Sequence, residues 1–258
     1  MRSSEWVSFV YFAALTAIAW LRPLPAGRRI SITAIGVFMC AAILTLARNG
    51  TSAVRDWAPA AVILVGYYLS GRFFCRPSEA FERWLMAWDI RLLGDPTTRF
   101  SHWPRACLAY LEIVYMGCFL LLPAGFAALV WAGRTDLADR YWTMVVSAEF
   151  GAFGPLSVIQ SRPPWALERP AALPDRGVHG IGLLAVERFS IQANTFPSGH
   201  AAGSLAVALA VLGPMPWTGA VFLLVAASIS LACIVGRYHY VVDVLAGAAL
   251  AMVIWLVN

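Results

Sequence analysis

The sequence predicts an all-α polytopic membrane protein, a bundle of about eight transmembrane helices with one amphipathic helix in the membrane interface. Three observations carry that expectation. Hydrophobic residues make up 60% of the 258-residue chain and charged residues only 13%, against about 45–50% and about 25% in an average soluble domain. Mean hydropathy is +0.70. The apolar residues gather in runs of the length a bilayer demands, about 20 residues per span. Disorder, a coiled coil and an ordinary water-soluble enzyme are excluded, because lipid tolerates an apolar exterior and water does not.

In chain order, the runs fall at 5–21, 30–47, 57–75, 106–132, 141–159, 198–213, 217–236 and 239–257. Pro23 and Pro25, Asn49-Gly50, Gly133, and Gly213-Pro214 with Pro216 punctuate the breaks, as turn chemistry should. The first run follows Arg2 without a small-residue cleavage site, which reads as a retained span rather than a signal peptide. Between the third and fourth runs, Phe81, Trp84, Leu85, Trp88 and Leu92 recur at helical spacing, with Glu82, Arg83, Asp89 and Arg91 between them. That pattern predicts an amphipathic helix lying in the interface, either bracing the bundle or gating lipid entry. Residues 160–197 are too polar and too broken to span. They hold Arg162, Arg169, Arg176, Arg188, His179 and prolines at 163, 164, 170, 174 and 197, and loops on a rigid scaffold are where chemistry concentrates.

The formal net charge is +5, and all 19 basic residues are arginine. Codon bias accounts for most of this excess. Arginine nevertheless stays charged at any working pH and presents a planar fork of donors suited to phosphate. Cys40, Cys75, Cys107, Cys118 and Cys233 lie within or beside apolar stretches at no paired spacing, as packed thiols rather than disulfides or metal ligands. The expected partners are the bilayer and a membrane lipid, not nucleic acid; oligomeric state is not legible.

Pro197-Ser198-Gly199-His200 opens the sixth run. Ser198 can cap a helix and Gly199 lets the backbone approach a ligand. Free N–H groups at a helix start bind anions, and a histidine beside a bound anion can donate a proton. The bland alternative is a helix cap with an incidental histidine. Arg237-Tyr-His239-Tyr-Val-Val-Asp243 opens the eighth run. His239 and Asp243, four apart, share a helix face. A carboxylate on one ring nitrogen fixes the tautomer and leaves the other as nucleophile or base; the alternative is a structural pair closing a helix end. Two apolar runs joined at Gly213–Pro216 separate the histidines, so an up-and-down hairpin returns both to one membrane face. Arg162, Arg169 and Arg237 could surround a tetrahedral anion there. Glu112 and Glu149 are carboxylates inside apolar runs, functional suspects by default or else hydrogen-bonded structural groups. Trp165 and His179 are further candidates for substrate contact.

Together these segments resemble the phosphatidic acid phosphatase type 2 superfamily, the membrane lipid-phosphate phosphatases. That family carries Lys, six residues and Arg-Pro; then Pro-Ser-Gly-His; then Ser-Arg, five residues, His, three residues and Asp. Arg162 through Arg169-Pro170 matches the first with Arg for Lys, residues 197–200 match the second, and His239 with Asp243 matches the third. The Ser-Arg pair would fall on Ala232-Cys233, and Arg237 is the candidate replacement for its arginine. The form Arg-Tyr-His-Tyr-x-x-Asp-Val-x-Ala-Gly is similar to the branch near inositol phosphorylceramide synthases. The resemblance covers about 57–257. It implies two added helices at 1–50 and a six-span catalytic core at 51–258. It also implies roles: His239 as nucleophile forming a phosphohistidine, Asp243 orienting it, His200 as general acid. Arg162, Arg169, Arg237 and the N–H groups near Ser198 and Gly199 would hold the phosphate oxygens. No cofactor and no metal are implied.

The reaction expected is hydrolysis of a lipid phosphate or pyrophosphate. A phosphotransferase passing a headgroup to an alcohol is the alternative, and a lipid transporter a second, disfavoured because the motifs cluster at one face rather than the midplane. A catalytically dead scaffold is argued against by the intact His–His–Asp set. With eight spans, the site face holds arginines 22, 28, 29, 72, 76, 83, 91, 99, 105, 162, 169, 176, 188 and 237, and the other face arginines 2, 48, 55, 134 and 140. The positive-inside rule would make the site cytoplasmic; the resemblance implies an extracytoplasmic or lumenal site. The outer face is the expectation, because the motifs are specific whereas one miscounted span reverses every loop.

Overall fold

The computed structural model describes residues 1–167, 188 and 190–258. Their regular elements are α1 (Ser3–Leu21), α2 (Ala26–Asn49), α3 (Ser52–Gly71), α4 (Glu79–Leu93), α5 (Pro96–Ser101), α6 (Arg105–Met116), α7 (Cys118–Trp131), α8 (Ala138–Phe153), α9 (Pro164–Leu167), α10 (Gly199–Leu212), α11 (Pro216–Val235) and α12 (Val241–Val257). Among the described residues no strand forms, and Ser161 and Asn194 make an isolated bridge. The all-helical class expected from the sequence is what the chain adopts.

Each expected run falls on a helix or, for 106–132, on α6 and α7 together. That pair bends by 66° at the break between them. By length and composition α1, α2 and α11 can cross a membrane, and the bent pair makes a fourth. α10 and α12 are apolar but shorter. α3 carries Arg55 and Asp56 near its start, and α8 carries Asp139 and Arg140. The expected count of eight therefore rests on the run pattern, while three or four helices satisfy the length and hydropathy of a span. Phe38, Leu120, Trp131, Leu224, Leu245 and Leu256 point outward, an exterior suited to lipid.

Polar clamps tie alternate helix ends. At one end Arg2 Nη1 lies 2.6 Å from Asp56 Oδ1, and Arg55 grips Glu5 with two bonds of 2.7 and 2.9 Å. Asp139 accepts from the amides of Ser3 and Ser4, and Trp142 Nε1 donates to the Asp56 carbonyl. The starts of α1, α3 and α8 are thus pinned together. At the other end Arg28 donates to the Phe74 carbonyl, and Gln160 Oε1 accepts from the amides of Cys75 and Arg76. The start of α2 meets the end of α3 and the segment after α8 there, which is the up-and-down path the punctuation predicts.

α10 runs through the middle, packed on α7, α8, α11 and α12. It can do so because most of its buried residues are small, Gly199, Ala201, Ala202, Gly203, Ala206 and Ala208 among them. Small residues let helix axes approach.

The face expected of α4 is redrawn. Glu82, Leu85 and Asp89 are its buried residues, while Trp84, Ile90 and Leu92 face out. The acidic side chains turn inward because basic partners await them, as the site makes clear.

The Glu5–Arg55 clamp yields a stability prediction. Arg55→Leu strands a carboxylate that is 7% exposed, and should cost about 3 kcal/mol. Adding Glu5→Leu should recover most of it, because no orphan charge remains. Thermal unfolding in detergent micelles measures both.

Candidate active site

The starts of α10 and α12 lie side by side. Ser198 Oγ caps α10 by accepting from Ala201 N, and Ser198 N donates to the Asp243 carbonyl at 2.9 Å. Gly247 makes the approach possible, since a Cβ there would stand 2.5 Å from the Ser198 carbonyl oxygen. His200 and His239, 39 residues apart, consequently meet: His239 Nε2 lies 3.3 Å from His200 Nδ1. Behind it, His239 Nδ1 lies 3.5 Å from Asp243 Oδ2. Asp243 is fully buried, and the same oxygen accepts from Tyr240 N at 2.9 Å. Nδ1 makes no hydrogen bond among the described residues, the 3.5 Å to Asp243 being an ion-pair distance only; in the tautomer protonated there, His239 presents the Nε2 lone pair to His200.

The turn into α12 is shaped by Arg237, whose φ of 59° places a non-glycine residue in the left-handed region. The amides of Tyr238 and His239 both donate to the Cys233 carbonyl, and the Arg237 carbonyl accepts from Trp165 N. Arg237 Nη1 lies 2.8 Å from Asp89 Oδ2, both groups buried, and Asp89 Oδ1 accepts from Val241 N at 2.8 Å. One carboxylate on α4 therefore holds the arginine and the start of the helix bearing Asp243. A negative group suits a helix N-terminus.

Arg162 is held in the same manner. Its Nε and Nη2 bond Glu82 at 3.0 and 2.8 Å, and its amide donates to the same carboxylate at 2.8 Å. Burial pushes the Glu82 carboxyl up, but the Arg162 hydrogen bonds and charge outweigh it and leave it below the usual carboxylate range. The Glu82 hydrogen bond in turn raises the guanidinium. Tyr240 OH donates to the Arg162 carbonyl at 3.1 Å. Asn194 bonds Ser161 through its amide and its side chain, which fastens the segment before the Pro-Ser-Gly-His motif to Arg162's strand of chain.

The structure thus brings together His200, His239, Asp243, Ser198, Gly199, Arg162 and Arg237. Arg169 and His179 lie outside the described residues. The amides of Ser198 and Gly199, expected to face an anion, donate to the Asp243 carbonyl and to Thr195 Oγ1, so an anion would reach them only by displacing those bonds. Glu112 accepts from Tyr238 OH. Tyr238 stacks on Tyr115 at 3.9 Å, and Tyr115 on His200 at 4.9 Å. Sequence reasoning missed Glu82, Asp89, Asn194 and Tyr115. The spacing of Glu82, Leu85 and Asp89, two turns on one face, was the available signal for the first two.

The PAP2 superfamily profile matches residues 83–257, a stretch that contains Asp89, Arg162, His200, His239 and Asp243. No curated protein and no solved structure matches the chain.

Asp89 offers a test of this architecture. Asp89→Ala removes the acceptor of a buried guanidinium and of a helix-start amide, and should cost about 3 kcal/mol. Asp89→Asn keeps an oxygen for Val241 N and should cost roughly half as much. Melting temperatures of the two variants in one detergent rank them.

Proposed function

The chain belongs to the PAP2 superfamily, and on that premise we propose that it is a membrane phosphatase, hydrolysing a lipid phosphate or pyrophosphate through a phosphohistidine at His239. Membership suggests phosphatase or phosphotransferase activity. The observation that carries the finer reading is the 3.3 Å approach of His239 Nε2 to His200 with Asp243 behind the other nitrogen. Such a row fits a nucleophile, its orienting carboxylate and a proton carrier.

The mechanism follows from those positions. His239 Nε2 attacks phosphorus; the bond to the leaving oxygen breaks, and that oxygen takes a proton from His200. Asp243 balances the positive charge on the phosphorylated ring. Water then attacks phosphorus and gives a proton to His200, and the N–P electron pair returns to His239. Arg162, Arg169 and Arg237 hold the phosphate oxygens, where preorganised charge matters most. A lipid substrate is supported by the aromatic cluster at the site's edge. Phe81 stacks on Trp84, and both meet Phe196, next to the Pro-Ser-Gly-His motif. Aromatic rings favour the headgroup level of a bilayer.

The segment from Arg237 to Gly247 favours a second reading, headgroup transfer like that of inositol phosphorylceramide synthases. Acceptor choice alone separates the two. Purified protein should release inorganic phosphate from one or more members of a lipid phosphate panel, with no increase in transfer product when diacylglycerol or ceramide is added. His239→Ala should lower turnover at least about a thousandfold with folded protein intact. Activity within about tenfold of the unmodified protein would remove His239 from the nucleophile's role.

We further propose eight spans, two of them an addition at 1–50 to a core at 51–258, with the site on the extracytoplasmic face. Cys75 is exposed at the site end, whereas Cys118 and Cys233 are buried. In protein with Cys40 and Cys107 replaced by alanine, a membrane-impermeant maleimide should label intact cells at Cys75. Labelling only after permeabilisation reverses the orientation.

A further inference from the structure

Beside His200 lies a narrow cleft of about 10 Å³ between α7, α8 and α10. Cys118 and Phe119 line it from α7, Glu149 and Phe153 from α8, and His200 and Ser204 from α10. Glu149 is 2% exposed, and its Oε2 has no hydrogen-bond partner among the described residues. α10 is cut away to receive it. A Cβ on Gly203 would stand 1.9 Å from Glu149 Oε1, and one on Gly199 3.2 Å from Oε2. The carboxyl therefore lies against α10 between Gly199 and Gly203, near the helix N-terminus, where the helix dipole favours negative charge.

The other polar groups of the cleft are committed or weak. Ser204 Oγ donates to the His200 carbonyl at 2.6 Å. Cys118 supplies a thiol, a poor donor. The imidazole of His200 lines the same cleft and makes no hydrogen bond to Glu149; among the cleft's groups it is the base open to a proton from the carboxyl. His200 needs such a partner. Its ring is covered by Tyr115 and Phe119 and faces a second histidine. A general acid must first hold a proton, and a cation so enclosed is costly without an anion nearby.

We propose that Glu149 is a positioning residue that supplies that anion to His200. This rests on the phosphatase reading above. The O–H bond of the Glu149 carboxyl breaks as an N–H bond forms on His200, leaving a carboxylate beside an imidazolium. His200 passes the proton to the leaving oxygen as the P–O bond breaks. When water later attacks phosphorus, its proton returns to His200 and then to Glu149, so the cycle closes with no net proton gained or lost by the protein.

The test compares kcat/KM for an alkyl lipid phosphate and for 4-nitrophenyl phosphate, whose leaving group needs no proton. Glu149→Gln keeps the shape but cannot ionise. It should lower the alkyl rate at least tenfold more than the aryl rate. In a His200→Ala background the same change should cause no further loss on the alkyl substrate, because Glu149 acts only through His200. Equal losses on both substrates, an additive loss in the double variant, or no loss at all would overturn the inference. Should Glu149→Gln not fold, Glu149→Asp, which withdraws the carboxyl by one methylene, is read in the same way. Failure of the unmodified protein to hydrolyse either substrate would instead overturn the phosphatase reading, and this inference with it.

Discussion

One backbone hydrogen bond, from Ser198 N–H to the Asp243 carbonyl, joins the starts of two helices that nothing in local sequence would pair. The whole site depends on it. α10 and α12 begin at the same depth, so the histidine after one cap and the histidine before the other fall within reach. The contact is narrow, since it needs Gly247 in α12 and a turn at Arg237 that bends through the left-handed region. The small side chains of α10 serve the same end, bringing α7, α8, α11 and α12 close around it.

Charge is managed from a single helix at the edge. α4 places Glu82 against Arg162 and Asp89 against Arg237. Guanidinium groups in so apolar a protein need anionic company, and planar carboxylates match their fork. Both arginines are thereby held in place and neutralised. The Arg162 side chain is 40% exposed beside Glu82, whereas the Arg237–Asp89 pair is closed off from solvent. The two arginines thus differ in setting: one meets solvent, and the other is enclosed between α4 and the start of α12.

Much of this was written in the sequence. The i, i+4 spacing of His239 and Asp243 and the apolar hairpin between the histidines made the central contact readable, because both depend on local periodicity and chain direction. The arginines at 162 and 237 stood out by chemistry alone, whereas their pairing with carboxylates of α4 did not. Glu82 and Asp89 were misplaced because an amphipathic pattern assigns charges to the wet face; only knowledge of their partners 80 and 148 residues away reverses it. Glu149 stood out as an intramembrane carboxyl, yet its neighbour could not be read, since the facing glycines at 199 and 203 signal nothing until a second helix lies on them. The break at Gly117 was hidden for a similar reason: 106–132 reads as one apolar run, and the chain bends it by 66°.

The clamp at the far end bears on how the chain is assembled. Asp139 receives the amides of Ser3 and Ser4, so the start of α1 is completed by a residue made 135 positions later. During synthesis α1, α2 and α3 are made well before α8. Until then Arg55 and Asp56 of α3 are the partners available to the start of α1. The ion pairs Arg2–Asp56 and Arg55–Glu5 are then a holding arrangement as well as a final one. They keep the early helices in register, with an acceptor site open, until the half of the chain that carries the histidines arrives to close it.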